Sequence, residues 1–354
     1  MDLFFLLSGF LIGTILLATL ERSRERGTIL RFYGRRALRI IPLYWVVTAA
    51  LVLIFPLSAE KLANLPADLL YLTNYGDEIQ RNHLVFWGWS LSVEEHFYLA
   101  APLLVLALLS IRSARARLAA LGAGWVAAGA LRVGLFLSRQ DALTQTELFH
   151  ELYLPTHVRL DILIAGVALA FIQRRYRERL SRLLARAVPR RAFLAVSLAC
   201  LPPLVFPALL GPERAELVRV VGWGTLTSLM YVPLVLVLLN AEGPLQRLLA
   251  SRVLRRAATL GYGVYLVHIP VGVPLIPLAE GAVRDLGLPP WIVWPAMLVA
   301  LTALSLAVAY ALHLAVEKPM LALRERVLPS AAPAAGRAEP QAERGSRRTA
   351  AAGS

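Results

Sequence analysis

Apolar runs long enough to cross a lipid bilayer recur along the whole chain, and they restrict its fold more than any other feature. A membrane helix needs roughly 20 mostly apolar residues, because the hydrocarbon core is about 30 Å thick. Nine such segments lie near residues 2–20, 40–56, 88–110, 118–138, 157–173, 192–210, 217–240, 257–279 and 291–315. Of the 354 residues, 58% are hydrophobic and only 17% are charged. The sequence therefore predicts an all-α polytopic membrane protein with nine transmembrane helices.

Arginine is concentrated in alternate loops between these segments. The loops at 21–39, 111–117, 174–191 and 242–256 hold 22 Arg and Lys residues, whereas the four intervening loops hold 5. Basic loops stay in the cytoplasm, so the N-terminus as given is predicted outside and the C-terminus inside. This distribution accounts for the net charge of +14, and we expect no nucleic-acid partner.

Two parts of the chain differ in composition. Residues 1–328 are predicted to form an integral membrane domain, and residues 329–354 a disordered cytoplasmic tail rich in Ala, Pro and Arg. The single Cys200 excludes an intrachain disulfide and a multi-cysteine metal site. No two histidines have the spacing of ligands on one helix face, so no metal is expected.

Two arginines stand at the predicted cytoplasmic mouth of the second segment. Arg36 and Arg39 are three residues apart, within the sequence RFYGRRALRIIPLYW, and so share one face of a helix. Two guanidinium groups there could hold a phosphate-rich ligand through bidentate contacts. The alternative is a basic cluster that sets the topology and meets only lipid head groups.

The third segment carries hydroxyl and carboxyl groups along one face. Ser90, Glu94 and Tyr98 follow one another at intervals of four residues, directly after Trp89. A carboxylate inside a membrane is costly and is therefore a functional candidate. Alternatively, Glu94 or its neighbour Glu95 makes a structural pair.

A charged triplet, His157, Arg159 and Asp161, begins the fifth segment. His157 and Asp161 are one helical turn apart, at the predicted outer end of this segment. Ionisable groups there are functional candidates, but the triplet could equally be an ion pair that joins helix ends.

The eighth segment carries a histidine near the predicted middle of the membrane. His268 shares a helix face with Tyr265 and lies twelve residues beyond Arg256. Pro270 frees a backbone carbonyl one turn earlier, and the prolines of this segment are predicted to kink or end its helix. A lone membrane histidine is also often a hydrogen bond between helices.

The predicted depths of these groups form a pattern. The Arg36–Arg39 pair lies inside, His268 near the midplane, and Glu94 and Asp161 in the outer half. A polar path from a cytoplasmic donor to an external acceptor needs this layout, and so does a proton-coupled carrier.

These segments, in this order, resemble the membrane-bound acyltransferase 3 family. The matching sequences within residues 2–326 are DLFFLLSGFLIG, RRALRIIPLYW, WSLSVEEHFYL, THVRLDILIAG, LGYGVYLVHIP and the closing YALHLAVEKPM. Tyr310, Glu317 and Pro319 match the end of the family's final helix. The sequence WSLSVEEHFY together with the Arg36–Arg39 pair is the specific part of the resemblance.

The resemblance implies transfer of an acyl group, usually acetyl, from coenzyme A to a hydroxyl of a sugar or other envelope molecule. The family's Arg-x-x-Arg corresponds to Arg36 and Arg39, which would hold the phosphates of acyl-CoA. Its glutamate corresponds to Glu94. Three further positions carry a residue type that is common in the family: Arg159, Asp161 and His268.

The chain departs from the family's pattern at its front. The resemblance implies ten helices, of which the first carries an Arg and a His thought to act as catalytic base, and the sequence begins just after that helix. We expect that Met1 is a misplaced start and that the helix is encoded upstream. The sequence SGFLIG is itself less specific, because Gly9 and Gly13 also suit a helix-packing face.

We therefore expect an O-acyltransferase of the bacterial cytoplasmic membrane that binds acyl-CoA, an envelope carbohydrate or lipid-linked acceptor, and membrane lipids. The expected catalytic residues are Glu94, His268 and Asp161, which would support deprotonation of the acceptor hydroxyl and its direct attack on the thioester. The candidate substrate-binding residues are Trp89, Ser90, Tyr98, His157, Arg159 and Tyr265. Two alternatives remain: a proton-coupled transporter or flippase of an envelope precursor, and a truncated relative without catalytic activity.

Overall fold

The computed structural model describes residues 1–75, 82–140, 142, 144–206, 218 and 222–329, and within these ranges the chain is helical without a strand. The α-helices are α1 (Asp2–Leu20), α2 (Arg26–Ile54), α3 (Ala59–Leu69), α4 (Trp89–Ser110), α5 (Ala114–Arg139), α6 (Gln145–Tyr153), α7 (Leu160–Ala185), α8 (Ala187–Ala199), α9 (Leu201–Val205), α10 (Trp223–Asn240), α11 (Pro244–Leu249), α12 (Arg252–Gly272), α13 (Leu275–Arg284), α14 (Pro290–Leu312) and α15 (Lys318–Val327). Short 3₁₀ turns, Phe86–Gly88 and Thr156–Val158, precede α4 and α7, and a π-helix, His313–Glu317, joins α14 to α15.

The long apolar helices make this a membrane protein, but their number differs from the prediction. Within the described residues, seven helices are long and apolar enough to cross a bilayer, or eight if the bent pair α12–α13 is one span. Helix α7, on the predicted fifth segment, is not among them, because its second half carries five arginines. The predicted count of nine is therefore not confirmed. The predicted tail lies, apart from Pro329, outside the described residues.

Helices α1 and α7 pack closely enough for their backbones to touch. Gly9 and Gly166 face one another, and a Cβ added to Gly166 would lie 2.8 Å from the Gly9 Cα. One turn further along, a Cβ added to Gly13 would lie 3.1 Å from the Ala170 Cβ. Small residues four apart on both helices permit this approach, which is how helices associate in lipid. The packing face predicted for Gly9 and Gly13 is confirmed.

The eighth apolar segment is bent where prolines interrupt it. Helix α12 contains Pro270 and ends at Gly272, and α13 follows at an angle of 46°. Proline removes a backbone donor and crowds the preceding turn, so a kink or an end was predicted here. This prediction is confirmed.

The end of the described chain returns to α2. Helix α15 packs along the N-terminal half of α2, where the Leu328 side chain lies directly against Gly34. Arg35 donates to the Leu328 carbonyl and forms an ion pair with Glu325, with Nη2 2.7 Å from Oε1. The two terminal regions of the described chain therefore meet beside the arginines of α2.

Candidate active site

Glu94 is buried in the bundle and is bound by hydroxyl groups. Its side chain is only 4% exposed, and Ser8 of α1 donates to its Oε1. The Tyr98 hydroxyl lies 2.8 Å from the same Ser8 oxygen. Because Ser8 has one proton and gives it to the carboxylate, Tyr98 donates to Ser8. The result is a directed chain from Tyr98 through Ser8 to Glu94.

Arg36 lies next to this chain. Its guanidinium carbon is 4.3 Å from the centroid of the Tyr98 ring, within the range of a cation–π contact. No ion pair to Glu94 is present in the described part of the chain, so the carboxylate has hydroxyl partners and a cation nearby but no direct counterion. Arg36 itself forms no ion pair with a side chain among the described residues.

Arg36 also belongs to the wall of a large pocket. This cavity has a volume of about 650 Å³ and is formed by the C-terminal half of α1, the following turn, α2 and α15. Six arginines line it: Arg22, Arg31, Arg35, Arg36, Arg39 and Arg324. Glu25 is the acidic residue among its lining side chains. The pocket is therefore strongly basic, and both arginines predicted to hold phosphate lie in it.

On the opposite side of Glu94, one turn along α4, Ser90 contacts α12. The Tyr265 hydroxyl lies 2.7 Å from Ser90 Oγ and donates to the Trp87 carbonyl, so Ser90 donates to Tyr265. His268 Nδ1 lies 2.6 Å from the Tyr265 carbonyl oxygen. Because a carbonyl oxygen only accepts, Nδ1 carries a proton, which leaves Nε2 as the nitrogen that can accept one.

The charged triplet forms ion pairs, but with other helices. Arg159 Nη1 donates to Asp2 Oδ1 at 2.9 Å, and Arg132 Nη2 donates to Asp161 Oδ2 at 2.9 Å. All four side chains are buried. Trp223 Nε1 also donates to Asp2, at 2.9 Å. The alternative expected for the triplet, an ion pair that joins helix ends, is what Arg159 and Asp161 form: α1 and α5 supply the opposite charges.

Helix α10 approaches one of these pairs through a glycine. A Cβ added to Gly224 would lie 2.7 Å from Arg132 Nη2 and 2.8 Å from Asp161 Oδ1. Distances below about 3 Å force the neighbouring atoms to move, so this position accepts no side chain without disturbing the pair. Asp161 is therefore enclosed between α5 and α10.

Aromatic rings surround the neighbouring pair. The Arg159 guanidinium lies 3.6 Å from the Tyr153 ring centroid, and Tyr153 in turn packs against Trp89 at 5.4 Å and Trp223 at 6.4 Å. Arg159 and Trp89, both predicted to bind substrate, are thus brought together through Tyr153.

His157 lies beside Tyr75, and its Nδ1 is 3.3 Å from the tyrosine hydroxyl. The two rings stack with centroids 5.9 Å apart. The hydrogen bond and the stacked ring are the contacts that hold His157 beside Tyr75.

Several residues of these sites were missed by the sequence reasoning. Asp2 and Arg132 are ionisable groups at or inside apolar segments, so the test that selected Glu94 would also have found them. Ser8 gave no signal, because serine is common in membrane helices. The remaining missed residues are the four further pocket arginines: Arg22, Arg31, Arg35 and Arg324.

A family model described as an acyltransferase domain, that of the acyltransferase 3 family, matches residues 1–313. The chain belongs to this family. The match confirms the resemblance stated from the sequence motifs, and acyltransferase is the enzyme class that the motifs predicted. The acyltransferase 3 match covers Glu94, the pocket residues of α1 and α2, and His268.

The chain is also similar in sequence to curated proteins whose names state an activity. Peptidoglycan O-acetyltransferase OatA of Listeria monocytogenes is 27% identical over 296 residues, which are 79% of this chain and 45% of that protein. O-acetyltransferase OatA of Staphylococcus aureus is 27% identical over 189 residues, 48% of this chain and 29% of that protein. This acyltransferase 3 chain therefore spans less than half the length of these relatives. No solved structure gives a significant match.

Proposed function

We propose that this chain transfers an acyl group, acetyl by analogy with the names of its relatives, from acyl-CoA to a hydroxyl of a cell-envelope carbohydrate. The observation that carries the proposal is the continuity between the arginine pocket and the buried carboxylate. Arg36 lines the pocket and stacks on Tyr98, which is linked through Ser8 to Glu94. A polyanionic donor is thereby bound next to groups capable of acid–base chemistry.

The pocket suits acyl-CoA by charge and by size. Coenzyme A carries a pyrophosphate and a 3′-phosphate, and guanidinium groups bind such oxygens through paired hydrogen bonds. In this proposal Arg36 and Arg39 hold the pyrophosphate. Both line the pocket from α2, and Arg36 contacts Tyr98, which leads to Glu94. The 650 Å³ of the pocket falls within the range of small-molecule sites.

The reaction requires one proton transfer and one displacement. Nε2 of His268 takes the proton of the acceptor hydroxyl while its oxygen attacks the thioester carbonyl carbon. The carbon–sulfur bond then breaks, and the thiolate of coenzyme A leaves with the bonding electrons and takes up a proton. Glu94, held by Ser8, orients the reacting groups between the donor pocket and His268. Asp161 holds Arg132 in an ion pair between α7 and α5, so its role in this proposal is structural.

The sides of the membrane follow from the arginine distribution. Five of the six pocket arginines belong to the basic segment 21–39, and Arg324 follows the last apolar segment; the positive-inside rule puts both regions in the cytoplasm, where acyl-CoA is available. Tyr265 contacts Ser90, which is one turn nearer the predicted outer end of α4 than Glu94. The Tyr265–His268 pair therefore lies further from the cytoplasm than Glu94 in this proposal, which reverses the order of depths expected from the sequence. The acceptor then reaches His268 from the outer face of the bacterial cytoplasmic membrane.

Radiolabelled acetyl-CoA separates this function from its rivals. Membranes containing the wild-type chain and supplied with envelope carbohydrate are expected to transfer label to the carbohydrate, and Glu94→Gln to abolish the transfer at equal expression. Glu21→Gln, a change of an exposed acid of the N-terminal region, is the matched control. A carrier would move its substrate unlabelled, and a non-catalytic relative would bind coenzyme A without transferring label.

A further inference from the structure

A carboxylate lies in a fork of two arginines at the rim of the pocket. Glu325 Oε1 accepts from Arg35 Nη2 at 2.7 Å and from Arg324 Nη2 at 2.7 Å, and its Oε2 accepts from Arg35 Nη1 at 3.2 Å. Both arginines also line the pocket, whereas Glu325 does not. Two guanidinium groups thus converge on one anionic group at the edge of a site for anions.

The fork is assembled from distant parts of the chain. Arg35 is on α2 and Glu325 on α15, 290 positions later. Docking of Leu328 against Gly34 and the bond from Arg35 to the Leu328 carbonyl hold α15 in this position. The arginines are therefore positioned by the fold, and Glu325 is not alone in holding them.

The fork is close to the two arginines assigned to the pyrophosphate. Arg35 and Arg39 are four residues apart on one face of α2, a rise of roughly 6 Å along the helix. Arg39 and Arg324 also line the same cavity. A ligand with two separate phosphate groups can reach both positions at once.

Glu325 is only weakly retained in the fork. Its side chain is 48% exposed, and those of Arg35 and Arg324 are 23% and 19% exposed. Exposed ion pairs contribute little to stability, so the carboxylate is released at small cost. A phosphate monoester carries more negative charge and three acceptor oxygens, and it competes well for two guanidinium groups.

We propose that Arg35 and Arg324 form a second phosphate subsite, occupied by Glu325 in the free protein and by the 3′-phosphate of coenzyme A in the donor complex. This inference rests on the proposed function, since it assumes that the donor binds in the arginine pocket. The subsite makes the protein selective for a 3′-phosphorylated donor, and helix α15 becomes part of the donor site.

Calorimetric titration of the full chain in detergent with coenzyme A and with 3′-dephospho-coenzyme A tests the subsite. The wild type is expected to bind coenzyme A roughly tenfold more tightly, the effect of about one charge-assisted hydrogen bond at a half-exposed site. Arg324→Gln is expected to lose this preference without weakening the dephosphorylated ligand. Glu325→Gln is expected to increase the preference, because the competing anion is gone.

Glu25→Gln is the matched control, since Glu25 also lines the pocket but lies outside the fork. Loss of its charge raises both affinities by the same factor. Equal binding of the two ligands by the wild type would overturn the subsite and leave donor binding at Arg36 and Arg39 intact. Binding of neither ligand would overturn the proposed function together with the subsite.

Discussion

Buried acids in the same bundle differ in their partners: Asp2 and Asp161 are paired with arginines, whereas Glu94 is bound by a hydroxyl group. Asp2 and Asp161 each accept from an arginine at 2.9 Å, and the arginines themselves are 1–2% exposed. Glu94, 4% exposed, is bound by the hydroxyl of Ser8 and has no direct counterion among the described residues. Burying a charge without a paired opposite charge is expensive.

The comparison separates two uses of a buried carboxylate. Asp2 joins α1 to the start of α7, and Asp161 joins α7 to α5. The negative charge of each aspartate is neutralised by its arginine. The carboxylate of Glu94 is held in place by neutral groups, with the Arg36 guanidinium stacked on Tyr98 nearby. Glu94 is joined to α1 by a hydroxyl and not by an opposite charge, and the proposed function gives this costly carboxylate a role.

Asp161→Asn has the largest expected effect on stability. Removing one partner leaves Arg132 buried without its counterion, which costs roughly 3–5 kcal/mol in the free energy of unfolding. Denaturant unfolding in detergent micelles measures this loss. The double variant Arg132→Met, Asp161→Leu is expected to recover most of it, because no uncompensated charge remains. Normal stability of Asp161→Asn with abolished acyl transfer would instead make Asp161 catalytic.

Glu94→Gln is expected to show the reverse pattern. Acyl transfer falls by roughly 10²–10⁴-fold, the range for loss of acid–base support, while the unfolding free energy does not fall. The amide keeps the shape and costs less to bury than a carboxylate. Glu21→Gln, at an exposed pair with Arg174, is the control for both assays. If Glu94→Gln loses stability as Asp161→Asn does, the contrast between the two groups disappears.

Gly224→Ala tests how tightly α10 packs against the Arg132–Asp161 ion pair. The added methyl would lie within 3 Å of Arg132 and Asp161, and overpacking of this kind costs about 1–3 kcal/mol. Thermal unfolding is the readout. Gly261→Ala on α12 is a matched control, because nothing lies within 4 Å of the position its Cβ would take. Equal effects of the two changes would show that helix propensity alone is being measured.

Tyr98→Phe has the smallest expected effect on acyl transfer, and it tests the hydrogen-bonded chain from Tyr98 through Ser8 to Glu94. The ring remains under Arg36, but the hydroxyl that donates to Ser8 is lost. One neutral hydrogen bond contributes about 1 kcal/mol, so we expect roughly a fivefold decrease in acyl transfer. Steady-state transfer assays measure it. An unchanged rate would remove Tyr98 from the chain that leads to Glu94.

The helices and their charged candidates were predictable from local pattern. Apolar runs indicated most of the long helices, although not the number of spans, and the cost of charge in a membrane selected Glu94, Arg159 and Asp161. Their partners were not predictable, because they are set by contacts across the chain: Asp2 is 157 positions from Arg159, and Ser8 is 86 from Glu94. No periodicity within a helix contains that information.

The pocket was likewise predictable only in part, since some of its arginines are near one another in the sequence and others are far apart. Arg36 and Arg39 were selected because they are three residues apart on one helix, whereas Arg324 enters from α15 near the end of the described chain. Ion pairs that join helix ends were expected at residues 157–161 as an alternative, but their partners, Asp2 and Arg132, could not be named because they lie on other helices. Helical spacing places two side chains on one face but does not say which helix lies opposite.

The close packing of α1 on α7 also bears on how the protein is made. Asp2 and the glycine face of α1 meet their partners on a helix that leaves the ribosome about 150 residues later. At typical synthesis rates of about 5–20 residues per second, α1 waits roughly 8–30 s in the membrane before α7 arrives. During that interval Asp2 lacks the arginine that neutralises it in the folded protein, so α1 enters the membrane before its ion pair can form.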